Sequence, residues 1–276
     1  MRIAYLGPAG TFTEDALGEA TAEEFEPLRT ATIHDAILAV QAGEADRALV
    51  PFENSIEGSV RGTLDTLAFE AEAVTIVGEH DYAVRAHLIG REQVELGTVE
   101  AVLSHQQPLA QCARFLREQL AGVELRSVSS TAAAVRMVAE SVRPWAAIGS
   151  RAAAELYGCA ILREGIQDEA DNVTRFVWIA PAGTEPARGK TWKTSLVFSE
   201  LGEDHPGALV NALSEFSGRE INLSRIESRP MRSGLGRYMF FCDLDGAETD
   251  DDVAEAIAAL RTKAESVRIL GSYPVG

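Results

Sequence analysis

Cysteine is scarce in this sequence, and long hydrophobic runs are missing. The 276 residues include 3 cysteines, Cys112, Cys159 and Cys242, which lie far apart in unrelated contexts. None belongs to a C-x-x-C pair or a Cys/His cluster, so we expect no metal site. The sparse, odd count and the lack of a secretory signal favour a cytoplasmic protein. No apolar run approaches the roughly 20 residues of a membrane-spanning helix, so we expect no membrane partner.

Positive charge is also limited. Acidic residues number 42 against 25 basic ones, for a formal net charge of −17. A protein that binds nucleic acid needs a basic face, so we exclude a nucleic-acid partner. A small anionic ligand would have to rely on single arginines, helix N-termini and backbone N–H groups. The sequence has no nucleotide-binding loop.

What the first part of the chain does contain is a regular alternation of short apolar runs and amphipathic stretches. In Ile33–Val40, for example, apolar residues recur at helical spacing along one face. The apolar runs of strand length are Ile3–Leu6, Ala48–Pro51, Val74–Val77, Val84–Ile89, Val99–Leu103, Glu124–Val128, Ala146–Ile148 and Val173–Ile179. This alternation predicts an α/β layer fold with largely parallel strands.

A change of composition divides the chain near residues 181–193, where proline, glycine and alanine replace the periodic pattern. Such a stretch is typical of a linker. The predicted elements beyond it are a strand at Ser195–Ser199, a helix at Pro206–Ser217, strands at Ile221–Glu227 and Gly236–Asp243, a helix at Asp251–Lys263 and a strand at Val267–Ser272. This order is the ferredoxin-like βαββαβ plan.

Polar side chains follow most strands of the first part. Thr11 comes after the first strand and, with Glu14 three residues later, matches a capping box. The later polar turns are Glu53-Asn54-Ser55, Ser104-His105-Gln106-Gln107, Ser129-Ser130-Thr131 and Gly149-Ser150. Each turn by itself is typical of a helix cap. In an open parallel sheet, however, these turns all lie at the carboxyl ends of the strands, where ligands bind. Together they predict a site for a small anion.

The last strand of the first part adds a cation. Alternation along Val173–Ile179 puts Thr174 and Phe176 on one face and Arg175 on the other. Arg175 either faces a site or pairs with nearby surface carboxylates, and the residues alone leave both interpretations open.

In their order and spacing, five segments of the first part resemble one family, the prephenate dehydratases. The segments are Gly7–Thr13, Val50–Gly58, Ser104–Gln107, Ser130–Ala134 and Asn172–Phe176. In the tail, Gly207–Val210 and Glu227–Pro230 resemble the amino-acid-sensing ACT domain of the same enzymes. One departure is Gln106-Gln107-Pro108, where the family usually reads Ser-His-Pro-Gln-Ala, and it affects the expected shape of that loop.

The resemblance implies a catalytic domain at 1–184, with two lobes of the periplasmic-binding-protein type (type II) and an active site in the cleft between them. A ferredoxin-like ACT domain should occupy 193–276. The implied activity is the decarboxylative dehydration of prephenate to phenylpyruvate, without a cofactor and regulated by phenylalanine. A homodimer or homotetramer is expected, as is a monofunctional enzyme, because no chorismate mutase segment precedes the first strand.

The resemblance also implies roles for individual residues. The expected catalytic residues are Thr174, Arg175 and Glu53, with Thr174 bonding the departing hydroxyl and Glu53, Glu57 or His105 as the proton source. The expected substrate-binding residues are Thr11, Asn54, Ser55, Ser104, His105, Gln107, Thr131, Asn172 and Phe176. The expected effector-binding residues are Gly207, Ala208, Leu209, Val210, Asn222, Leu223, Glu227, Ser228, Arg229 and Pro230.

Three other functions remain compatible with the sequence. Arogenate dehydratase differs from prephenate dehydratase by one substrate group. A solute-binding protein could use the same two-lobed fold without catalysis, although the Thr174-Arg175-Phe176 motif argues against it. A non-catalytic amino-acid-binding regulator would keep the tail and an inactive first part.

Overall fold

The first lobe is built on a mixed sheet. The structure, a computed structural model, describes residues 1–202 and 206–275. The elements of this lobe are β1 (Arg2–Leu6), α1 (Phe12–Ala20), β2 (Glu26–Thr30), α2 (Ile33–Gln41), β3 (Arg47–Asn54), β4 (Gly58–Ser59), α3 (Arg61–Phe69), β5 (Val74–Ala83) and, after an excursion, β11 (Val173–Pro181). The strand order is β2-β1-β3-β11-β5, with β4 paired to β3.

The second lobe is formed by the excursion between β5 and β11. Its elements are β6 (His87–Gly90), β7 (Ala101–Ser104), α4 (Gln106–Gln111), α5 (Ala113–Gln119), β8 (Glu124–Ser127), α6 (Thr131–Glu140), β9 (Trp145–Gly149), α7 (Arg151–Leu156) and β10 (Ala160–Arg163). The strand order is β10-β6-β9-β7-β8. A 3-10 turn at Leu96–Thr98 precedes β7.

The chain crosses between the lobes twice, after β5 and before β11, and backbone hydrogen bonds hold both crossings. The Val84 N–H donates to the Asn172 carbonyl at 2.8 Å, and the Ile166 N–H donates to the Ala86 carbonyl at 2.9 Å. The predicted strand Val84–Ile89 therefore begins only at His87, because Val84–Ala86 form the crossing. The two-lobed plan is confirmed.

The prediction of largely parallel strands is only partly right. The pairs β1·β2, β1·β3, β7·β8 and β7·β9 are parallel, whereas β11 runs antiparallel to both β3 and β5. The reason is the return of the chain from the second lobe, which starts β11 beside the carboxyl end of β3 and inserts it between β3 and β5 in the opposite direction. The sequence analysis also missed β2 and β10. In β2 most side chains are at least partly exposed, so it lacks the apolar run by which strands are recognised.

The part after the linker folds as predicted, in βαββαβ order. Its elements are β12 (Trp192–Ser199), α8 (Ala208–Ser217), β13 (Leu223–Pro230), β14 (Tyr238–Asp245), α9 (Asp251–Leu260) and β15 (Ser266–Pro274). The strand order is β13-β14-β12-β15. The helix predicted from Pro206 begins at Ala208, because Gly207 takes the N-cap position at φ 91°.

The third sheet packs on the first lobe as well as on its own helices. Phe198 and Phe216 belong to the core under α8 and α9, whereas Phe241 and Tyr273 belong to the core of the first lobe. At the closest approach a Cβ on Gly271 would lie 2.2 Å from the carbonyl oxygen of Ile76. The first lobe and the tail therefore share one hydrophobic core. In the described part of the chain, no helix has the length and apolarity needed to span a bilayer.

Candidate active site

A cavity of about 600 Å³ lies between the two lobes. The first lobe contributes the turn after β1 and the paired ends of β3 and β11, and the second contributes the turns before α4 and α6. Seven of the predicted site residues line it: Thr11, Asn54, His105, Gln107, Thr131, Asn172 and Thr174. The segments that the sequence analysis singled out one by one therefore meet at a single site.

Three helices begin at this cavity. Thr11 is the N-cap of α1, His105 that of α4 and Ser130 that of α6. Ser130 Oγ accepts the N–H of Ala133 at 3.0 Å. Free N–H groups at such ends carry partial positive charge, so the cavity suits an anion.

The turn after β1 is held differently from the predicted capping box. The Thr11 hydroxyl donates to the Leu6 carbonyl at 3.3 Å and makes no cap bond, and Glu14 accepts the N–H of Gly10 at 2.5 Å. Burial by itself would raise the pKa of Glu14, but hydrogen bonds from Tyr5, Gly10 and Arg29 lower it. The ionised Glu14 carboxylate thus accepts the N–H of Gly10, whereas a capping box would use the N–H of Thr11.

A buried amide joins the ends of β3 and β11. The Asn54 Nδ2 group donates to Thr174 Oγ1 at 2.9 Å, to Asn172 Oδ1 at 2.7 Å and to the Val173 carbonyl at 3.2 Å. Its Oδ1 accepts two backbone N–H groups of the following turn, each at 3.0 Å. The Asn54 side chain therefore holds Thr174 beside the turn after β3, although the two residues are 120 positions apart in the sequence.

The hydrogen bond from Asn54 also orients the Thr174 hydroxyl. An amide nitrogen can only donate, so the Thr174 oxygen accepts from Asn54 and keeps its own proton. Within residues 1–202 and 206–275, no protein group accepts that proton. The hydroxyl is thus ready to donate to a ligand in the cavity.

Arg136 is a cavity residue that the sequence analysis missed. It lies on α6, is exposed, and is the one arginine among the described residues that line the cavity. In the described part of the chain no carboxylate pairs with it, and no acidic residue is among the lining residues. Helical spacing was the available signal, since Arg136 follows Ala133 by three residues on the same face.

His105 combines a structural role with a place in the cavity. Its Nδ1 accepts the N–H of Gln107 at 3.4 Å. Its Nε2 is then the ring nitrogen that can donate a hydrogen bond to a ligand.

Three of the predicted substrate-binding residues are not among the residues that line the cavity. Ser104 is fully buried and its hydroxyl donates to the Ile148 carbonyl at 2.7 Å. Phe176 is buried in the core and packs edge-on against Tyr82. Ser55 donates to the Asp171 carbonyl and accepts the Val173 N–H, so it ties the returning chain to β3. Spacing along a strand or turn does not distinguish such anchoring groups from groups that reach a ligand.

Arg175 and Glu53 also lie outside the cavity, on the other face of the sheet. Arg175 bonds Asp243 of β14 at 2.6 Å, Glu53 at 3.1 Å and Glu79 of β5 at 3.3 Å. The predicted direct contacts of Arg175 and Glu53 with substrate do not fit this geometry, because alternation turns both side chains towards the third sheet. Glu57, the third predicted proton source, is exposed and accepts from Gln111 at 3.3 Å.

In the described residues, no group of three His, Cys, Asp or Glu side chains is arranged to hold a metal ion.

Comparison with known proteins decides the family. A model of the prephenate dehydratase family matches residues 3–184, and an ACT domain model matches residues 200–262. The chain belongs to the prephenate dehydratase family. A prephenate dehydratase of Mycobacterium sp. (strain JLS) is 43% identical over 286 residues, covering 100% of this chain and 89% of that protein.

Two solved structures extend the comparison. A prephenate dehydratase from Arthrobacter aurescens in complex with L-Phe is 40% identical with a TM-score of 0.91, over 99% of this chain and 90% of that one. A protein described as a novel type of quorum-quenching acylase is 30% identical with a TM-score of 0.88, over 100% of this chain and 98% of that one. Because one fold can host different activities, the function of this prephenate dehydratase family member must be argued from its site.

The predicted effector residues of this prephenate dehydratase family member lie at the start of α8, in β13 and, for Asn222, just before β13. Gly207–Val210 begins α8, and Glu227–Pro230 ends β13, an edge strand of the third sheet. Arg229 forms a bidentate pair with Asp65 of the first lobe, at 2.8 Å to each oxygen. Asn222 donates to Asp245 at 2.8 Å. Arg229 therefore links the ACT domain to the first lobe.

Proposed function

We propose that this chain is a prephenate dehydratase, which converts prephenate to phenylpyruvate, CO₂ and water and is regulated by phenylalanine. The observation that carries the proposal is the Thr174 hydroxyl, which accepts from Asn54 at 2.9 Å and keeps its proton for the cavity. The family supports the same activity. The catalytic domain is 1–184 and the regulatory domain 193–276.

The charges of the cavity suit prephenate, which carries two carboxylates. Arg136 lines the cavity without a carboxylate partner among the described residues, and none of the lining residues is acidic. The N-termini of α1 and α6 add partial positive charge from two sides. Arg136 binds one carboxylate and the helix ends bind the other, so the overall acidity of the chain does not prevent binding.

The reaction needs a group that helps the ring hydroxyl to leave. The bond between the ring and its carboxylate breaks, and its electron pair becomes part of the aromatic ring. The C–O bond breaks with its electron pair on oxygen, and one proton completes the water molecule. Thr174 donates a hydrogen bond to that oxygen and relays a proton to it from solvent water. The negative charge that develops on the leaving oxygen is thereby partly neutralised.

The other cavity residues orient the substrate. Of the three predicted proton sources, only His105 lines the cavity. With Nδ1 accepting from Gln107, its ring can donate a hydrogen bond to the substrate through Nε2. Thr11, Gln107, Thr131 and Asn172 provide further polar contacts.

Regulation uses the ACT domain of neighbouring subunits. The L-Phe complex of the Arthrobacter aurescens enzyme supports phenylalanine as the effector. It binds between Gly207–Val210 of one subunit and Glu227–Pro230 of another, in a homodimer or homotetramer. The exposed side chains of Val210 (66%) and Ile226 (48%) support self-association at this surface.

We place the enzyme in the cytoplasm. Its three cysteines are free thiols, and two of them are buried. Burial raises the pKa of Cys112 and of Cys242 to about 12, so these thiols stay protonated and unreactive.

The test is turnover by purified protein in mildly alkaline buffer. Phenylpyruvate formation from prephenate is followed by its absorbance in alkali, with and without phenylalanine. We expect rapid formation that phenylalanine changes. Absence of product from prephenate, with the protein folded, would refute the proposed activity. Product formation that phenylalanine leaves unchanged would refute the proposed regulation.

A further inference from the structure

A charged cluster lies on the face of the first sheet opposite the cavity, where the third sheet packs on it. Three cations meet three carboxylates there: Arg175, Lys193, Arg225, Glu53, Glu79 and Asp243. The first lobe contributes Arg175, Glu53 and Glu79, and the third sheet contributes the other three. The cluster is thus an interdomain contact with balanced charge.

Arg175 is the centre of this cluster. Its guanidinium bonds Asp243 at 2.6 Å, and the two side chains are 11% and 1% exposed. Glu79 accepts both Arg175, at 3.3 Å, and Lys193, at 2.8 Å. Burial by itself would lower the pKa of Arg175, but Asp243 and Glu79 raise it. A carboxylate that belongs to the regulatory domain therefore compensates for the burial of the Arg175 charge.

Asp243 is itself fixed within the third sheet. Ser195 of β12 donates to its Oδ1 at 2.7 Å and lies 2.8 Å from the Tyr273 hydroxyl of β15. Three of the four strands of the sheet are thus joined at this point. A movement of the sheet carries Asp243 with it and takes the nearest carboxylate away from the buried Arg175 guanidinium.

Arg175 and Thr174 are neighbours on β11 and point to opposite faces. Thr174 is held by Asn54 on the cavity face, and Arg175 is held by Asp243 on the other. The pairing of β11 with β3 is irregular between Arg175 and Phe176, so the ladder is interrupted there. The register of β11 with β5 is unbroken from Val173 to Trp178, so it is on the β3 side that the contacts of Arg175 affect the position of the Thr174 hydroxyl.

We propose that Asp243 is a positioning residue for Thr174, acting through Arg175, so that the regulatory domain sets the place of the catalytic hydroxyl. The inference deepens the proposed function and rests on it for its link to phenylalanine. Binding of an effector to the third sheet alters the Arg175–Asp243 contact, and the resulting shift of Arg175 moves the adjacent residue on β11, Thr174.

The test compares Asp243→Asn with Arg268→Lys in the full-length protein. Arg268 crosses the same interface, donating to the Leu67 carbonyl at 2.7 Å and to the Ala71 carbonyl, and none of its hydrogen bonds reaches β11. Two readouts are used: hydrogen exchange of amides 172–178, which needs no substrate, and kcat and KM with prephenate, with and without phenylalanine.

For Asp243→Asn we expect exchange of this segment to rise and kcat to fall, each by at least about fivefold, with KM changed less. The effect of phenylalanine on kcat should shrink by a similar factor. Arg268→Lys should change none of these, although it lowers the melting temperature. Wild-type exchange and kcat in Asp243→Asn would overturn the inference and leave the proposed function standing. Faster exchange in Asp243→Asn, together with a wild-type protein that does not turn over prephenate, would support the positioning and refute the proposed function.

A second variant covers the case in which Asp243→Asn does not fold. Ser195→Ala removes the bond that orients Asp243 and keeps both charges. We expect smaller changes in the same direction, about twofold to fivefold in kcat and in exchange. Unchanged kcat and exchange in Ser195→Ala, with Asp243→Asn unfolded, would overturn the inference.

Discussion

Replacing Thr174 with valine removes one hydroxyl from the cleft while keeping the β-branched shape that a strand favours. The buried Asn54 amide keeps two acceptors, Asn172 Oδ1 at 2.7 Å and the Val173 carbonyl at 3.2 Å. The free energy of unfolding should therefore fall by only about 1 kcal/mol. Loss of the group that assists the leaving hydroxyl should cost about 10²–10⁴-fold in kcat, or about 3–5 kcal/mol of barrier.

The assay is steady-state formation of phenylpyruvate, paired with urea unfolding of the same protein. Thr63→Val is the matched control, because the Thr63 hydroxyl is buried in the same lobe and donates to the Pro51 carbonyl at 2.5 Å, outside the cavity. We expect it to lower the free energy of unfolding by about 1–3 kcal/mol with kcat preserved. Turnover by Thr174→Val within about threefold of wild type would refute the role of the hydroxyl. Thr174→Ser should lose less than valine, since it retains the donor.

Three further predictions concern binding, pH and packing. Arg136→Gln should raise KM for prephenate about tenfold with little change in kcat, whereas Arg117→Gln, exposed outside the cavity, should leave KM unchanged; equal KM values for both would exclude Arg136 as a carboxylate anchor. Burial raises the pKa of Asp15 from 3.8 to about 6, so the folded state favours the neutral carboxyl. The free energy of unfolding therefore falls as the pH rises from about 4 through about 6, where Asp15 ionises in the folded protein. Asp15→Asn should therefore raise the free energy of unfolding by roughly 1–2 kcal/mol near neutral pH, allowing for partial exposure, and show no gain below pH 4 in urea titrations at several pH values; a constant difference would contradict the assignment. Gly271→Ala should lower the free energy of unfolding by about 1–3 kcal/mol or more, because its Cβ would lie 2.2 Å from the Ile76 carbonyl oxygen, and Gly97→Ala, with open space around it, serves as the control in thermal melts.

The order of the elements and the place of the polar turns could be predicted from the sequence. The apolar runs of β1, β3, β7 and β9 are buried on both sides, and such runs mark strands without any knowledge of their partners. The βαββαβ order of the tail follows from the change of period between two and 3.6 residues. The helix-capping residues Ser130 and Ser150 bond the expected N–H groups, because capping is local and depends on residues only three positions apart.

Only the tertiary structure decided which of those polar groups share a cavity. Asn54 and Thr174 meet because β11 returns antiparallel to β3, and no local pattern encodes the pairing of residues 120 apart. Ser104 and Phe176 belong to recognised segments and are nevertheless buried, while Arg136 reaches the cavity from the other lobe. Arg175 shows the limit most clearly. Alternation places its side chain on the face opposite Thr174. Its partner Asp243 comes from a separate sheet, however, and the spacing of residues within the motif cannot indicate a charged partner on a distant strand.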